Sequence, residues 1–132
     1  MADFKLGEKY TRADVQALLG LEPQPGGNWA TGYHQHRGEW FLFPNIGTEG
    51  RTGHNYGNRW IGEGLQWYGK TGSHLRQPAI CSMLASSSRV HLFTRDNNRE
   101  PFEYHGLVRP VRTNDTVPVE IVWRVGDQST MR

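Results

Sequence analysis

Between Asn45 and Pro78 the chain gathers four cations, Arg51, Arg59, Lys70 and Arg76, against two acids, Glu49 and Glu63. His54 and His74 can add to the positive side, and Tyr56, Trp60, Trp67 and Tyr68 are interleaved with it. Such donors, with Asn58, Ser73 and exposed backbone N–H groups, are what hold a nucleic-acid backbone in register. Flat rings among them offer faces to a base, and each stacked base is worth about 1–3 kcal/mol. The many glycines of the stretch let main chain come close to a strand. A pocket for an extruded base asks for the same parts, with an aromatic floor and lid and a few polar groups at the base edge. On this reading Arg51, His54, Tyr56, Asn58, Arg59, Lys70, Ser73, His74 and Arg76 contact the backbone, and Trp60, Trp67 and Tyr68 form the base pocket. A structural reading competes with it. Aromatics dominate the cores of small sheets, so Trp60 and Trp67 also suit core positions, and Arg51, Arg59 and Arg76 also suit a solvated surface.

Other chemistries find less support. "HQH" at 34–36 sets His34 and His36 on one side of a strand, as in a metal pair, but no third ligand follows from spacing. Cys81 falls in an apolar helical stretch, which predicts a buried, inert thiol. "SSS" at 86–88 lacks the strand–turn–helix setting of a nucleophile elbow. Glu39, Glu49 and Glu63 are scattered, and "GTEGRTG" lacks the Gly-Lys-Ser/Thr ending of a phosphate loop. The expectation is a binding protein that is not an enzyme and uses no metal or cofactor.

The composition agrees with a folded binding module. The chain has 132 residues and a net charge of +2, enough for one domain (1–132) with a modest core. Twelve of its fifteen cations are Arg, the side chain that grips phosphate and guanine edges in bidentate fashion, although an Arg-rich codon bias produces the same count. A single cysteine excludes an internal disulfide and suits a reducing compartment. No apolar run reaches membrane-span length and "MADFKLGEKY" has no signal-peptide core, so a cytoplasmic location is expected.

The elements that must position these residues are short. "YTRADVQALLG" reads as a helix with Thr11 as N-cap, Asp14 completing a capping box, and Gly20 past the C-cap. Val15, Leu18 and Leu19 are its expected buried face. "QPAICSMLASS" suits a second helix with Pro78 at its start and Ile80, Met83 and Leu84 on one side. "EWFLFP" (39–44), the two halves of "RWIGEGLQWYG", "RVHLFTR" (89–95), "PFEYHGLV" (101–108) and "VPVEIVWRV" (117–125) read as strands, with 89–95 and 101–108 paired as a hairpin. The expected fold class is α+β, one bent and mostly antiparallel sheet with two short helices at its ends.

The order of motifs resembles a known group. "FKLGEKYTRADVQALLG", "FPNIGTEGRTGHNYGNRWIGEGLQWYGK", "VHLFTR", "PFEYHGLV" and "VEIVW" follow one another as in the modified-DNA-reading domains of bacterial modification-dependent restriction systems. One branch is a C-terminal domain of unknown function fused to helicase–phospholipase-D-type nucleases. The other comprises the SRA-like domains fused to HNH endonucleases of the McrA type. "LQWYGK" stands where the first branch has an aromatic "FHWQSQ" stretch, with Trp67 at the matching ring and Tyr68 beside it. "WIGEGLQW" is similar to the "Y-x-G-E-G-Q" of the second, with Trp60 at the Tyr place and Leu65 interrupting before Gln66.

The resemblance implies an SRA/PUA-like, partly barrel-shaped sheet. It also implies a phage-defence reader of double-stranded DNA bearing 5-methylcytosine or its hydroxymethyl form, served by a nuclease that is fused to it or acts as its partner. No HNH or helicase motif is present, so binding without cutting is expected. Three alternatives stay open at this level: a reader of phosphorothioate DNA, single strands or RNA; a protein or small-molecule module built on an apolar groove; and, least supported, a small enzyme.

Overall fold

The computed structural model describes residues 4–21, 33–46, 58–62, 64–70, 72–85, 88–96 and 99–125. The elements run β1 (Lys9–Tyr10), α1 (Arg12–Leu18), β2 (Tyr33–His36), β3 (Glu39–Leu42), β4 (Arg59–Ile61), β5 (Gly64–Tyr68), α2 (Pro78–Leu84), β6 (Arg89–Thr94), β7 (Phe102–Asn114) and β8 (Glu120–Arg124). They form an α+β fold around one eight-stranded sheet in the order β2-β3-β6-β7-β8-β5-β4, with β1 added against β7. Every named strand pair is antiparallel except β3–β6. That parallel pair needs a long crossover, which carries β4, β5 and α2. The sheet bends strongly, bringing Tyr33 of β2 to 5.3 Å from Trp67 of β5, yet it stays open.

Helix α1 forms where its caps predict. The Thr11 hydroxyl accepts from the Asp14 N–H at 3.0 Å and the Asp14 carboxylate accepts from the Thr11 N–H at 2.9 Å. Gly20, at φ +82°, turns the chain out past the C-cap Leu19 in a backbone conformation that costs glycine little. The buried stripe differs from the expected one, because Leu18 is 46% exposed. Arg12, Val15, Gln16 and Leu19 face the sheet at i, i+3, i+4 and i+7 spacing, with the Arg12 guanidinium 4.9 Å from the centre of the Phe102 ring. Two polar residues hid the stripe: an arginine that lies along rings and a glutamine that is buried.

In α2, Ile80 and Met83 enter the core and Leu84 packs against it. Cys81 therefore falls on the far side of the helix. It is exposed, not buried as expected, and its thiol donates to the Leu75 carbonyl at 3.2 Å.

The sheet has a core on each face. Tyr33, Trp40, Leu42, Leu65, Trp67, Ile80, Met83, Val90, Leu92, Val108, Ile121 and Trp123 build the larger. Val15, Phe41, Phe43, Phe93, Phe102 and Tyr104 build the other, which Phe4, Tyr10 and Leu19 close. Strand β7 passes through both regions. At the register shift beside Leu92/Phe93 the ladder steps from Gly106 to Tyr104, leaving His105 as an extra residue. Tyr104 and Phe102 thus face the smaller core and Val108 the larger. β7 also runs six residues past the expected end at Val108, through Pro110 to Asn114, with a second register shift between Pro110 and Arg112. A proline is tolerated next to such a bulge, where ladder pairing is already interrupted.

Candidate nucleic-acid interface

The row of strands β7-β8-β5-β4 has two unlike faces. Leu65, Trp67, Ile121 and Trp123 alternate inward and are almost wholly buried. The residues between them point outward. Across the ladders, Arg59 stands opposite Gln66, Gln66 opposite Val122 and Val122 opposite Arg112. Tyr68 stands opposite Glu120, and Glu120 opposite Asn114; Gly64, Arg124 and Arg109 make a third row. Cα partners in an antiparallel ladder share a face. Arg59, Arg109, Arg112 and Arg124 therefore lie together on the outer side, all exposed, with Glu120 as the carboxylate among the described residues of those rows. The bulge at Val111 is what aims Arg112 and Asn114 outward; a regular strand would turn both toward the core.

Side chains on this face are chained across four strands. Arg59 Nε donates to Gln66 Oε1 at 2.8 Å, and Gln66 Nε2 donates to Glu120 Oε2 at 2.6 Å. Asn114 Nδ2 donates to Glu120 Oε1 at 2.7 Å, and Gln66 Nε2 also reaches the Tyr68 hydroxyl at 3.2 Å. These bonds from Gln66 and Asn114, helped by the fields of Arg112 and Arg59, hold the Glu120 carboxyl below its ordinary pKa, so it is ionised at neutral pH. Because Arg59 engages the chain through Nε, its two terminal nitrogens are left to make the fork that suits phosphate.

The expected site residues are dispersed differently from the sequence reading. Arg51, His54 and Tyr56 lie outside the described residues. Trp67 is 3% exposed and packs edge-on to Tyr33 and Trp123, so it is a core residue and cannot stack on a base in this arrangement. Tyr68, its neighbour in the strand, points to the outer face, and the three expected pocket rings do not converge. Trp60 is 40% exposed and stands on the edge strand β4, with its ring edge-on to His105 at 5.0 Å. His105 in turn pairs with the Thr94 hydroxyl at 2.7 Å, and burial pushes its pKa down.

Asn58 and Ser73 are buried and bonded within the fold. The Asn58 amide bridges the Asn45 carbonyl and the Tyr68 N–H, tying β4 and β5 to the segment that follows β3. Ser73 is buried and accepts from the Val119 N–H at 3.2 Å. Lys70 lies over the Tyr33 ring at 4.6 Å, and the His74 ring nitrogen accepts from the Arg76 N–H. Arg76 pairs with Asp115 at 3.5 Å in a solvent-exposed ion pair of little energetic weight. Of the expected site residues, Arg59 and Tyr68 join the outer face and Trp60 stands at its edge. Sequence reading missed Arg109, Arg112 and Arg124.

A second polar cluster sits in the smaller core. His91 Nδ1 meets the Tyr104 hydroxyl at 2.8 Å, and Nε2 meets Glu39 at 2.6 Å, which also pairs with Arg89. The His91 ring stacks on Phe41 at 4.7 Å. Burial holds its pKa below the ordinary value, with Glu39 opposing, and pushes Tyr104 up to about 12. Sealed by Phe4 and Phe41, the cluster braces β3, β6 and β7. No group of three His, Cys, Asp or Glu able to hold a metal occurs among the described residues. Nor does any helix among them have the length and apolarity to cross a membrane.

The molecule is thus an α+β protein whose open sheet carries a cationic, hydrogen-bonded outer face beside an exposed tryptophan. The chain belongs to the DUF3427 family, a domain of unknown function, whose model matches residues 4–124. No curated protein matches it.

Proposed function

We propose that this domain is a reader of double-stranded DNA containing modified cytosine, 5-methylcytosine or its hydroxymethyl form, within a system that recognises foreign DNA. The observation that carries the reading is the four-arginine face bordered by the edge strand that bears Trp60. Strands are spaced about 4.8 Å apart, so Arg59 on β4 and Arg112 on β7 stand roughly 14 Å from each other. Cations spread over that distance suit a phosphate backbone better than a single small anion. Because β4 is an edge strand, Arg59 on one of its sides and Trp60 on the other are both within reach of one nucleic-acid strand. The arginines hold phosphates, and the indole takes a base.

Backbone contacts supply affinity and its fall with salt. A methyl group adds only about 1 kcal/mol by burial, so selection for the modified base depends on how tightly Trp60 and its surroundings enclose it. A gel-shift series tests this, comparing C, 5-methyl-C, 5-hydroxymethyl-C and phosphorothioate versions of one duplex, with single-stranded DNA and RNA alongside. Tighter binding of the methylated or hydroxymethylated duplex is expected. Equal affinity for modified and plain duplex at moderate salt would sink the reading, and preference for another ligand in the series would redirect it.

A further inference from the structure

Glu120 is out of place on a face built to hold phosphate. It sits in the middle of the cross-strand chain, anchored from both sides by Gln66 and Asn114, and is ionised between Arg59 and Arg112. A glutamine or serine there would also link β5 to β7, so bridging the strands does not require a carboxylate. A fixed negative charge does one thing that a neutral bridge does not: it lowers the attraction of the whole cluster for any passing polyanion. It also offers an acceptor to a hydrogen-bond donor, and the exocyclic amino group of cytosine is such a donor at a base edge.

We propose that Glu120 is a specificity-determining residue of this face. Its carboxylate, one row along from Arg59 and Arg112, keeps phosphate out of that end of the arginine cluster and reserves the place for a neutral donor such as a base-edge amino group. The proposal rests on reading the face as a polyanion site and deepens that reading. Gln66 and Asn114 act as positioning residues, since their amides pin both carboxylate oxygens. The arginines on either side are then left to straddle a ligand and do not collapse onto one phosphate.

The test uses the whole chain with heparin and an unmodified duplex as probes. Glu120→Gln, which keeps shape and an acceptor, is compared with Glu8→Gln, which changes net charge equally at an exposed position on the β1 side of the molecule. Glu120→Gln should elute from heparin at higher salt than wild type and bind the unmodified duplex about fivefold more tightly, the size expected for one charge near phosphate in water. Glu8→Gln should change binding less than about twofold, being screened at that distance. Asn114→Asp, an exposed substitution that adds a second carboxylate to the row, should move binding the opposite way. The ratio of modified to unmodified duplex binding should shrink in Glu120→Gln. Equal shifts for Glu120→Gln and Glu8→Gln, or weaker polyanion binding by Glu120→Gln while its thermal unfolding matches wild type, would overturn the proposal. Failure of wild type to prefer modified DNA would instead sink the modified-cytosine reading, leaving the heparin comparison to judge Glu120 alone.

Discussion

Strand β7 lets two halves of one sheet be compared along a single backbone. From Phe102 to Val108 it lies between two hydrophobic cores, with α1, β1 and Phe4 covering the side that the larger core does not. From Arg109 to Asn114 every residue is exposed except the half-buried Pro110. The covered half spends its aromatic and titratable groups on packing, as His91 does between Phe41 and Tyr104. The open half carries exposed arginines and the Gln66 and Asn114 amides that hold Glu120. The lesson is that α1 decides which half of the sheet stays open, by capping one half and not the other.

The sharpest way to break this comparison is at Trp67 and Trp60. Trp67→Ala removes a core ring and should cost about 3–5 kcal/mol of stability, read as a large fall in the midpoint of urea or thermal unfolding. Trp60→Ala should cost about 1 kcal/mol or less while weakening DNA binding by about 1–3 kcal/mol. If Trp67→Ala folded normally and lost only binding, the assignment of the inward face to packing would be wrong.

A smaller effect separates the outer face from the fold. Arg59→Ala with Arg112→Ala should leave unfolding within about 0.5 kcal/mol of wild type. The same pair should flatten the plot of log affinity against log salt by about one unit for each phosphate that the arginines no longer neutralise. An unchanged salt slope would remove these two arginines from the interface.

The gentlest probe is pH. Burial holds His91 below its ordinary pKa of 6.5, so the unfolded chain takes up a proton in a range where the folded chain does not. Stability is therefore full above about pH 6.5 and declines as pH falls toward the folded value, with His105 acting in the same direction. His91→Gln should make the melting temperature less dependent on pH between about 7.5 and 5. Glu120, whose pKa is lowered from 4.5, stays ionised across that range, so the charge on the outer face should hold while the covered half weakens.

Local signals were legible wherever one residue type dictates backbone geometry. Thr11 and Asp14 marked the start of α1, Pro78 opened α2, and the 89–95 and 101–108 strands paired as expected. The α+β class and the mostly antiparallel sheet followed from such signals. Position on a face was harder to read. Trp67 and Tyr68 are neighbours in an aromatic stretch, and only the register of β5 against β8 sends one inward and the other out.

The arginine face was hidden for a further reason. Arg59, Arg109, Arg112 and Arg124 come from strands distant in the chain, and only the extra residue at Val111 brings Arg109 and Arg112 to one side, since regular alternation would set them on opposite faces. The strand read at 101–108 also stopped short of Arg109 and Arg112. A dense stretch such as 51–76 looked like a site because its residues are close in sequence, whereas the described part of it is divided between core, bridge and rim.

Because α1 leaves the β7-β8-β5-β4 side unroofed, substitutions at the exposed positions 112 and 114 meet fewer packing obligations than those in the core. The scaffold can therefore be diversified there as a display surface. A library confined to those codons should yield folded proteins of altered ligand preference, while the same diversity placed at Leu65, Ile121 or Trp123 would be lost to misfolding.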